Sequence, residues 1–291
     1  MSNDRSGGKC LFYIFCRHCA FLILLIAALP ASQSFGDTVG YWRFEEGTAG
    51  TAASGFSTIL DSSGNGNNGT PVNGPVYSSN VPVNTISQTG ASNSLAMSFN
   101  GTNQRIFIPD STSLALTQSF TLEAYIDPTT TSGSSQDIIF RGDDRIALDP
   151  YKMFIGGNDL TVSVSDASGD LITLSSSFTA TNTWSFVAAT MNNATGSLDL
   201  YVNGNMVAST ITTIRPFATL DSAENPGLGI GNTESSNYSE WFSGLIDEVR
   251  ISNVALTPGQ MLDAPEPSSC AAMALCSSLF LTRRKRIVAA W

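Results

Sequence analysis

Strict alternation of apolar and polar side chains, interrupted at short intervals by Gly, Asn and Ser, is the tightest constraint on how this chain folds. In Phe120-Thr-Leu-Glu-Ala-Tyr-Ile126, residues Phe120, Leu122, Ala124 and Ile126 share one face. The alternation is complete in Leu160-Thr-Val-Ser-Val-Ser165, and Leu198, Leu200 and Val202 alternate with Asp199, Tyr201 and Asn203. A period of two belongs to a strand with one buried face. Asn203-Gly204 is a hairpin signal, because both residues tolerate positive φ. Further strands are predicted at residues 105–108, 137–140, 184–191 and 245–251. Many short strands between turn residues predict an all-β sandwich or jelly roll. Residues 71–93 read as a long, turn-rich connection with at most one short strand. Thr257-Pro-Gly-Gln260 predicts a short helix that ends the domain, with Thr at N-cap, Pro at N1 and Gln at N3.

Both ends differ from this middle. Residues 1–36 have a basic start (Arg5, Lys9, Arg17), an apolar run at 20–29 and small residues before Asp37. That order predicts a secretory signal peptide, cut before Asp37. The alternative is an uncleaved anchor, but the run falls well short of the roughly 20 residues a span needs. Cys16-Arg-His-Cys19 has metal-pair spacing, yet it abuts the run and leaves with the signal. Residues 265–291 open on Pro265, Glu266 and Pro267, continue through an apolar stretch at 270–281, and reach Arg283, Arg284, Lys285 and Arg286. The basic cluster is placed to stay on the cytoplasmic side of a membrane.

Export would leave residues 37–264 as one β-sandwich domain. The five cysteines (Cys10, Cys16, Cys19, Cys270, Cys276) and the only histidine, His18, all lie outside it. A Ser/His or Cys/His catalytic arrangement is therefore excluded from the domain. Seven basic residues face twenty-two acids there, a net charge of −15 against −10 for the whole chain. Such a surface repels phosphate backbones, which excludes nucleic acid, and suits cations such as calcium.

The C-terminal order resembles the PEP-CTERM sorting signal of Gram-negative-type bacteria. The resemblance covers residues 265–291 and implies processing by an exosortase. It also implies transient membrane contact through the C-terminal helix, and a cell-surface or extracellular destination. The domain resembles the LamG-like form of the concanavalin A-like fold. Its marks run in order: Tyr41-Trp-Arg-Phe-Glu-Glu46, Asp61-Ser-Ser-Gly-Asn-Gly-Asn-Asn-Gly-Thr70 and Ser98-Phe-Asn-Gly101. Then follow Ser119-Phe-Thr-Leu-Glu-Ala-Tyr125, Trp184-Ser-Phe-Val187, Leu200-Tyr-Val-Asn-Gly204, Gly229-Ile-Gly231 and Phe242-Ser-Gly-Leu-Ile-Asp-Glu-Val-Arg-Ile251. This resemblance implies an all-β, two-sheet antiparallel jelly-roll sandwich whose members bind glycans or proteins, or serve as accessory modules, and most of which are not catalytic.

Three kinds of site follow from the residues. In the 61–70 stretch, Asp61, Asn65, Asn67 and Asn68 offer hard oxygens, and glycines let the backbone wrap a cation. The same stretch also reads as an Asn/Gly turn that caps its own backbone. Asp247 shares parity with Leu245, Val249 and Ile251, so on a core-facing strand its carboxylate points inward and needs a cation or several donors. The expectation is a structural Ca²⁺ on Asp61, Asn67 and Asp247, with Glu45 contributing. Tyr125 and Tyr201 share parity with Glu123 and Asp199, so with Trp241 they are the candidates for stacking on sugar rings. Trp184 shares parity with Phe186 and reads as core. Asp143-Asp144 and Asp247-Glu248 are adjacent acids, but neighbours on a strand face opposite ways. The Glu-x-Asp-x-x-Glu strand of concanavalin A-like hydrolases is absent, and Glu123 and Asp127 do not reproduce it. The function expected is a non-catalytic binding module for extracellular polysaccharide. The alternatives are an adhesive matrix protein making contacts to surface protein only, and a carbohydrate-active enzyme.

Overall fold

A computed structural model describes residues 38–264 except 147 and 236. The signal-peptide and sorting-segment expectations, including Pro265, Glu266, Pro267, Arg283, Arg284, Lys285 and Arg286, lie outside the described residues.

The strands, in chain order, begin with β1 (Thr38–Trp42), β2 (Thr70–Val72), β3 (Val76–Ser78), β4 (Thr85–Ile86), β5 (Ala91–Ser92) and β6 (Ala96–Asn100). They continue with β7 (Arg105–Pro109), β8 (Phe120–Pro128), β9 (Gln136–Gly142), β10 (Tyr151–Gly156), β11 (Asp159–Ser165) and β12 (Leu171–Ser177). The last are β13 (Ser185–Met191), β14 (Ser197–Val202), β15 (Asn205–Ile211), β16 (Gly227–Ile230) and β17 (Ser243–Ser252). One antiparallel sheet of eight strands runs β15-β14-β13-β8-β17-β6-β3, with β1 also paired to β17. A second sheet of seven runs β12-β11-β10-β9-β16-β7-β2. The 71–93 stretch holds four short strands (β2 to β5), where the sequence reading allowed one; runs of two or three residues carry too few alternations to show a period.

The sandwich interior is built from the inward residues of both sheets. Phe120, Leu122, Ala124 and Ile126 of β8, Leu160, Val162 and Val164 of β11, and Leu198 and Leu200 of β14 are all in it. Asn203 and Gly204 turn the β14–β15 hairpin with φ of 50° and 71°. The predicted terminal helix is one 3-10 turn at Pro258–Gln260, and the Gln260 side chain accepts from the Thr257 backbone N–H at 3.0 Å.

Parity fails at one place in β17. Asp247 pairs with Tyr125 and Arg250 pairs with Glu123, so β17 carries one residue more than β8 between them. Glu248 absorbs this bulge at φ 50°. Ile246, Val249 and Ile251 therefore point inward, and Asp247 leaves the core side that its spacing predicted.

The outward face of the eight-stranded sheet is itself covered. Tyr41, Tyr125, Phe186 and Tyr201 form a second buried cluster there with Ile86, Met261 and Leu262. The segment after β17 lies over that face. Arg250 is paired to Glu123 at 2.6 Å and donates to the Gln260 carbonyl, while Glu123 accepts from the Leu262 N–H at 2.8 Å. Removing one partner of a buried pair strands the other. Glu123→Ala should therefore cost about 3–5 kcal/mol, read as a lower denaturant midpoint at unchanged slope.

Candidate functional site

The two tyrosines expected to contact ligand are buried. Tyr125 and Tyr201 are 5% and 4% exposed. Their parity places them on the outward side of β8 and β14, as read, but Met261 and Leu262 pack over them. Trp184 also packs against this cluster and not in the sandwich interior, and its indole N–H donates to Asn80 at 3.1 Å. Trp241 is half-buried just before β17.

The residues expected to hold Ca²⁺ are occupied by protein donors. Asp61 accepts from the backbone N–H groups of Tyr41 (3.0 Å), Ser63 (2.8 Å) and Asn67 (2.9 Å). The Asn67 side chain donates to the Val39 carbonyl at 2.7 Å and accepts from the Ser111 hydroxyl at 2.7 Å. Asp247 is held by the Asn93 amide and the Glu248 N–H, each at 2.8 Å. Glu45 accepts from the N–H groups of Ser94 and Leu95. This is backbone capping, and it leaves no shell of the six to eight oxygens that calcium takes. Among the described residues, no group of three or more His, Cys, Asp or Glu is placed to hold a metal. Asp61, Asn67, Asp247 and Glu45 thus do not fit a shared calcium, because the turn has already used their oxygens. A chelator titration should leave the melting temperature unchanged, whereas Asp61→Ala should lower stability by about 2 kcal/mol or more through the freed N–H groups.

The outward face of the seven-stranded sheet is built differently. Registers align Thr173, Ser163, Lys152, Phe140, Gly229 and Phe107 in one row across β12, β11, β10, β9, β16 and β7. Gly229 is the gap in that row, and residues 231–241 fold back onto it. A Cβ on Gly229 would lie 2.2 Å from the Asn232 carbonyl oxygen. This close approach explains the Gly229-Ile-Gly231 motif. The loop closes at its base through Phe242 N–H to Gly231 O (2.9 Å) and is braced by Asn232, which donates to the carbonyls of Ser235 and Tyr238.

Asp143 and Asp144 at the end of β9 pin this loop and its neighbours. Asp144 accepts from Ser235, Asn225 and Asn237, each at 2.6 Å, and its carbonyl accepts from the Tyr238 hydroxyl at 3.1 Å. Asp143 takes a two-pronged bond from Arg145 and the Asp221 N–H at 2.8 Å. Burial opposes ionisation of both acids, but these hydrogen bonds outweigh it and hold each below the usual carboxylate range. The sequence showed them only as adjacent acids on a presumed strand. In the structure they follow it in a loop, so both side chains serve one region.

The loop forms a ridge with a hollow on each side. One is an open cleft of about 500 Å³ lined by Arg105, Phe107, Asn225, Glu234, Ser235 and Asn237, among others. The other, about 130 Å³, is lined by Phe140, Arg145, Lys152, Tyr238 and Glu240, among others. Under it, Lys152 lies 3.7 Å from Glu240 and 3.9 Å from Asp149, and 5.1 Å from the centre of the Phe154 ring. Asp137 is fully buried, and among the described residues no N–H donor satisfies its carboxyl oxygens; the side chain beside it is another acid, Glu240. Burial, and then Glu240, push Asp137 well above the carboxylate range. Burial raises Asp149 to about 6 and, with Asp144, raises Glu234 to about 8. On the opposite sheet, burial raises Glu248 to about 7 against its bonds from Tyr41 and Arg43. Nothing in the sequence pattern marked Asp137 or Glu234, because their acidity is set by what folds over them.

Residues 100–261 match the family described as the concanavalin A-like lectin/glucanases superfamily. Among solved structures, the chain is similar to the binding domain of Paraclostridial mosquitocidal protein 1, with a TM-score of 0.55 and 19% identity over 79% of this chain and 52% of that one. It is similar to the botulinum neurotoxin serotype G binding domain, with a TM-score of 0.55 and 14% identity over 77% and 49%. It is also similar to the serotype D ligand-binding domain in complex with N-acetylneuraminic acid, with a TM-score of 0.52 and 15% identity over 78% and 50%. The chain spans about half the length of these structures, and identities this low establish a common fold alone. No curated protein matches the sequence.

The raised carboxyls have one consequence in solution. A group whose pKa is higher folded than unfolded binds more protons when folded, so its contribution is fullest below the unfolded pKa and is lost as pH rises through the folded one. For Asp149, Glu248 and Glu234 the folded values are about 6, 7 and 8. The melting temperature should fall as pH rises from about 5 to about 8, and Glu234→Gln should flatten the upper part of that slope in a scanning-calorimetry series.

Proposed function

This chain belongs to the concanavalin A-like lectin/glucanases superfamily, and from that premise we propose that it is an exported binding module. It holds extracellular polysaccharide on the outward face of the seven-stranded sheet. The observation that carries this reading is the pinned ridge with an open, polar-lined cleft beside it. A cleft of about 500 Å³ is in the range of small-ligand sites. Its lining mixes one aromatic ring with amides, hydroxyls and a few charges, which suits sugar hydroxyls and C–H faces. The opposite sheet is closed by residues that follow β17, which leaves this face as the one open to a chain-like ligand.

Binding is favoured over hydrolysis by the state of the acids. Asp137 is out of reach of a substrate, and Asp143 and Asp144 are committed to holding loops. The matched solved structures bear the words binding domain in their names, which supports the same choice. Export rests on residues 1–36 as a signal peptide, and surface sorting on residues 265–291 as a PEP-CTERM segment handled by an exosortase.

Affinity electrophoresis of the protein through gels carrying a panel of bacterial and plant polysaccharides tests this. At least one polysaccharide should retard the protein. Asp144→Ala, which releases three side-chain bonds to the loops, should weaken the retardation by about tenfold or more. No retardation by any polysaccharide would sink the reading and favour a matrix protein with protein contacts only.

A further inference from the structure

Glu234 is the least reconciled side chain of the domain. It is 2% exposed, and among the described residues no N–H of another residue satisfies either of its carboxyl oxygens, its own backbone N–H being the one close donor. Burying a polar group without a partner costs several times what a hydrogen bond returns. The other deeply buried acids, Asp137 aside, meet donors: Glu123 has Arg250 and the Leu262 N–H, and Asp247 has Asn93 and the Glu248 N–H. Glu234 instead lines the open cleft. Its near neighbour Asp144 can bond it only while Glu234 keeps its proton, and that bond leaves a carbonyl oxygen for an incoming donor.

We propose that the cleft formed by Arg105, Phe107 and Glu234 is a subsite for one neutral pyranose ring, with a ring hydroxyl donating to Glu234. This rests on the reading of the sheet face as a polysaccharide site and names what that site takes. Phe107 supplies the platform. Its ring sits over Gly227 of the next strand, where a Cβ would lie 2.5 Å from the ring carbon Cε2. Seated on a glycine, the ring has its other side for the C–H face of a sugar. Arg105 lines the same cleft and donates to a second hydroxyl, and Asn225, Asn237 and Ser235 complete a wall of amides and hydroxyl.

Charge selects against acidic sugars. The groups acting on Glu234 are Arg105 from β7 and Asp143, Asp144 and Asp149 from the segment after β9. One guanidinium against these carboxyls repels a uronate or a sialate.

Saturation-transfer NMR on the full chain tests this with methyl glycosides of glucose, galactose, mannose, glucuronic acid and glucosamine. At least one neutral glycoside should bind, and the glucuronide should not. Glu234→Leu and Phe107→Ala should each weaken binding by about tenfold or more, and Glu234→Gln, which keeps an acceptor and a donor, by about threefold. Melting curves of the variants separate these losses from misfolding, and Glu234→Leu should melt no lower than the parent. Polysaccharide binding that survives both Glu234→Leu and Phe107→Ala, yet is lost in Asp144→Ala, overturns the subsite and leaves the sheet-face reading intact. Preference for the glucuronide over every neutral glycoside overturns it as well. Failure of every glycoside and every polysaccharide overturns both.

Discussion

Taking a carboxylate out of water costs more than any single contact returns, and this fold does so on the outward side of both sheets. The two sides settle that cost differently. On the eight-stranded sheet, Glu123 meets Arg250 and a backbone N–H, Asp247 meets Asn93, and Glu248 meets Tyr41 and Arg43. On the seven-stranded sheet, among the described residues, Asp137 and Glu234 meet no donor from another residue, and burial pushes both above the carboxylate range. One outward side is thereby a second interior, and the other carries buried acids that the protein itself answers less fully. The proposed function follows that asymmetry more than it follows the sandwich, which many binding domains share.

The ridge between the two hollows depends on a division of labour between neighbouring acids. Asp143 works on Arg145 and the 221 backbone, while Asp144 gathers Ser235, Asn225 and Asn237. Both remain ionised because they accept many bonds, and a few residues away Asp149 and Glu234 are pushed the other way by burial. Carboxyl groups of the same kind thus serve as fixed anchors or as proton holders according to the number of donors each meets.

The sandwich was legible because its longer strands carry several alternations each. Residues 120–126, 160–165 and 198–202 showed their inward faces directly, and Asn203-Gly204 fixed a hairpin. The sites were less legible, for reasons that are physical. Parity says which side of a sheet Tyr125 and Tyr201 occupy, but not that residues 261 and 262 return to cover that side. The bulge at Asp247 and Glu248 moves a carboxylate to the other face, and one inserted residue leaves no mark in a local pattern. The Asn/Gly stretch after Asp61 offers the same oxygens to a cation or to its own backbone, and only the positions of Tyr41, Ser63 and Asn67 choose between them. Glu234 became a candidate only when its surroundings showed it buried beside other acids with no donor from another described residue.

The way the 231–241 loop is fastened has a bearing on how such a protein diversifies. It rests on Gly229 through main-chain atoms, closes through a main-chain bond between residues 231 and 242, and is braced by Asn232 reaching carbonyls. The sandwich below therefore asks for little from the side chains at the loop's crest, such as the exposed Ser239. Substitutions there can accumulate without loosening the scaffold. On the proposed reading, the surface beside the cleft can change its side chains while the sheets beneath keep their frame.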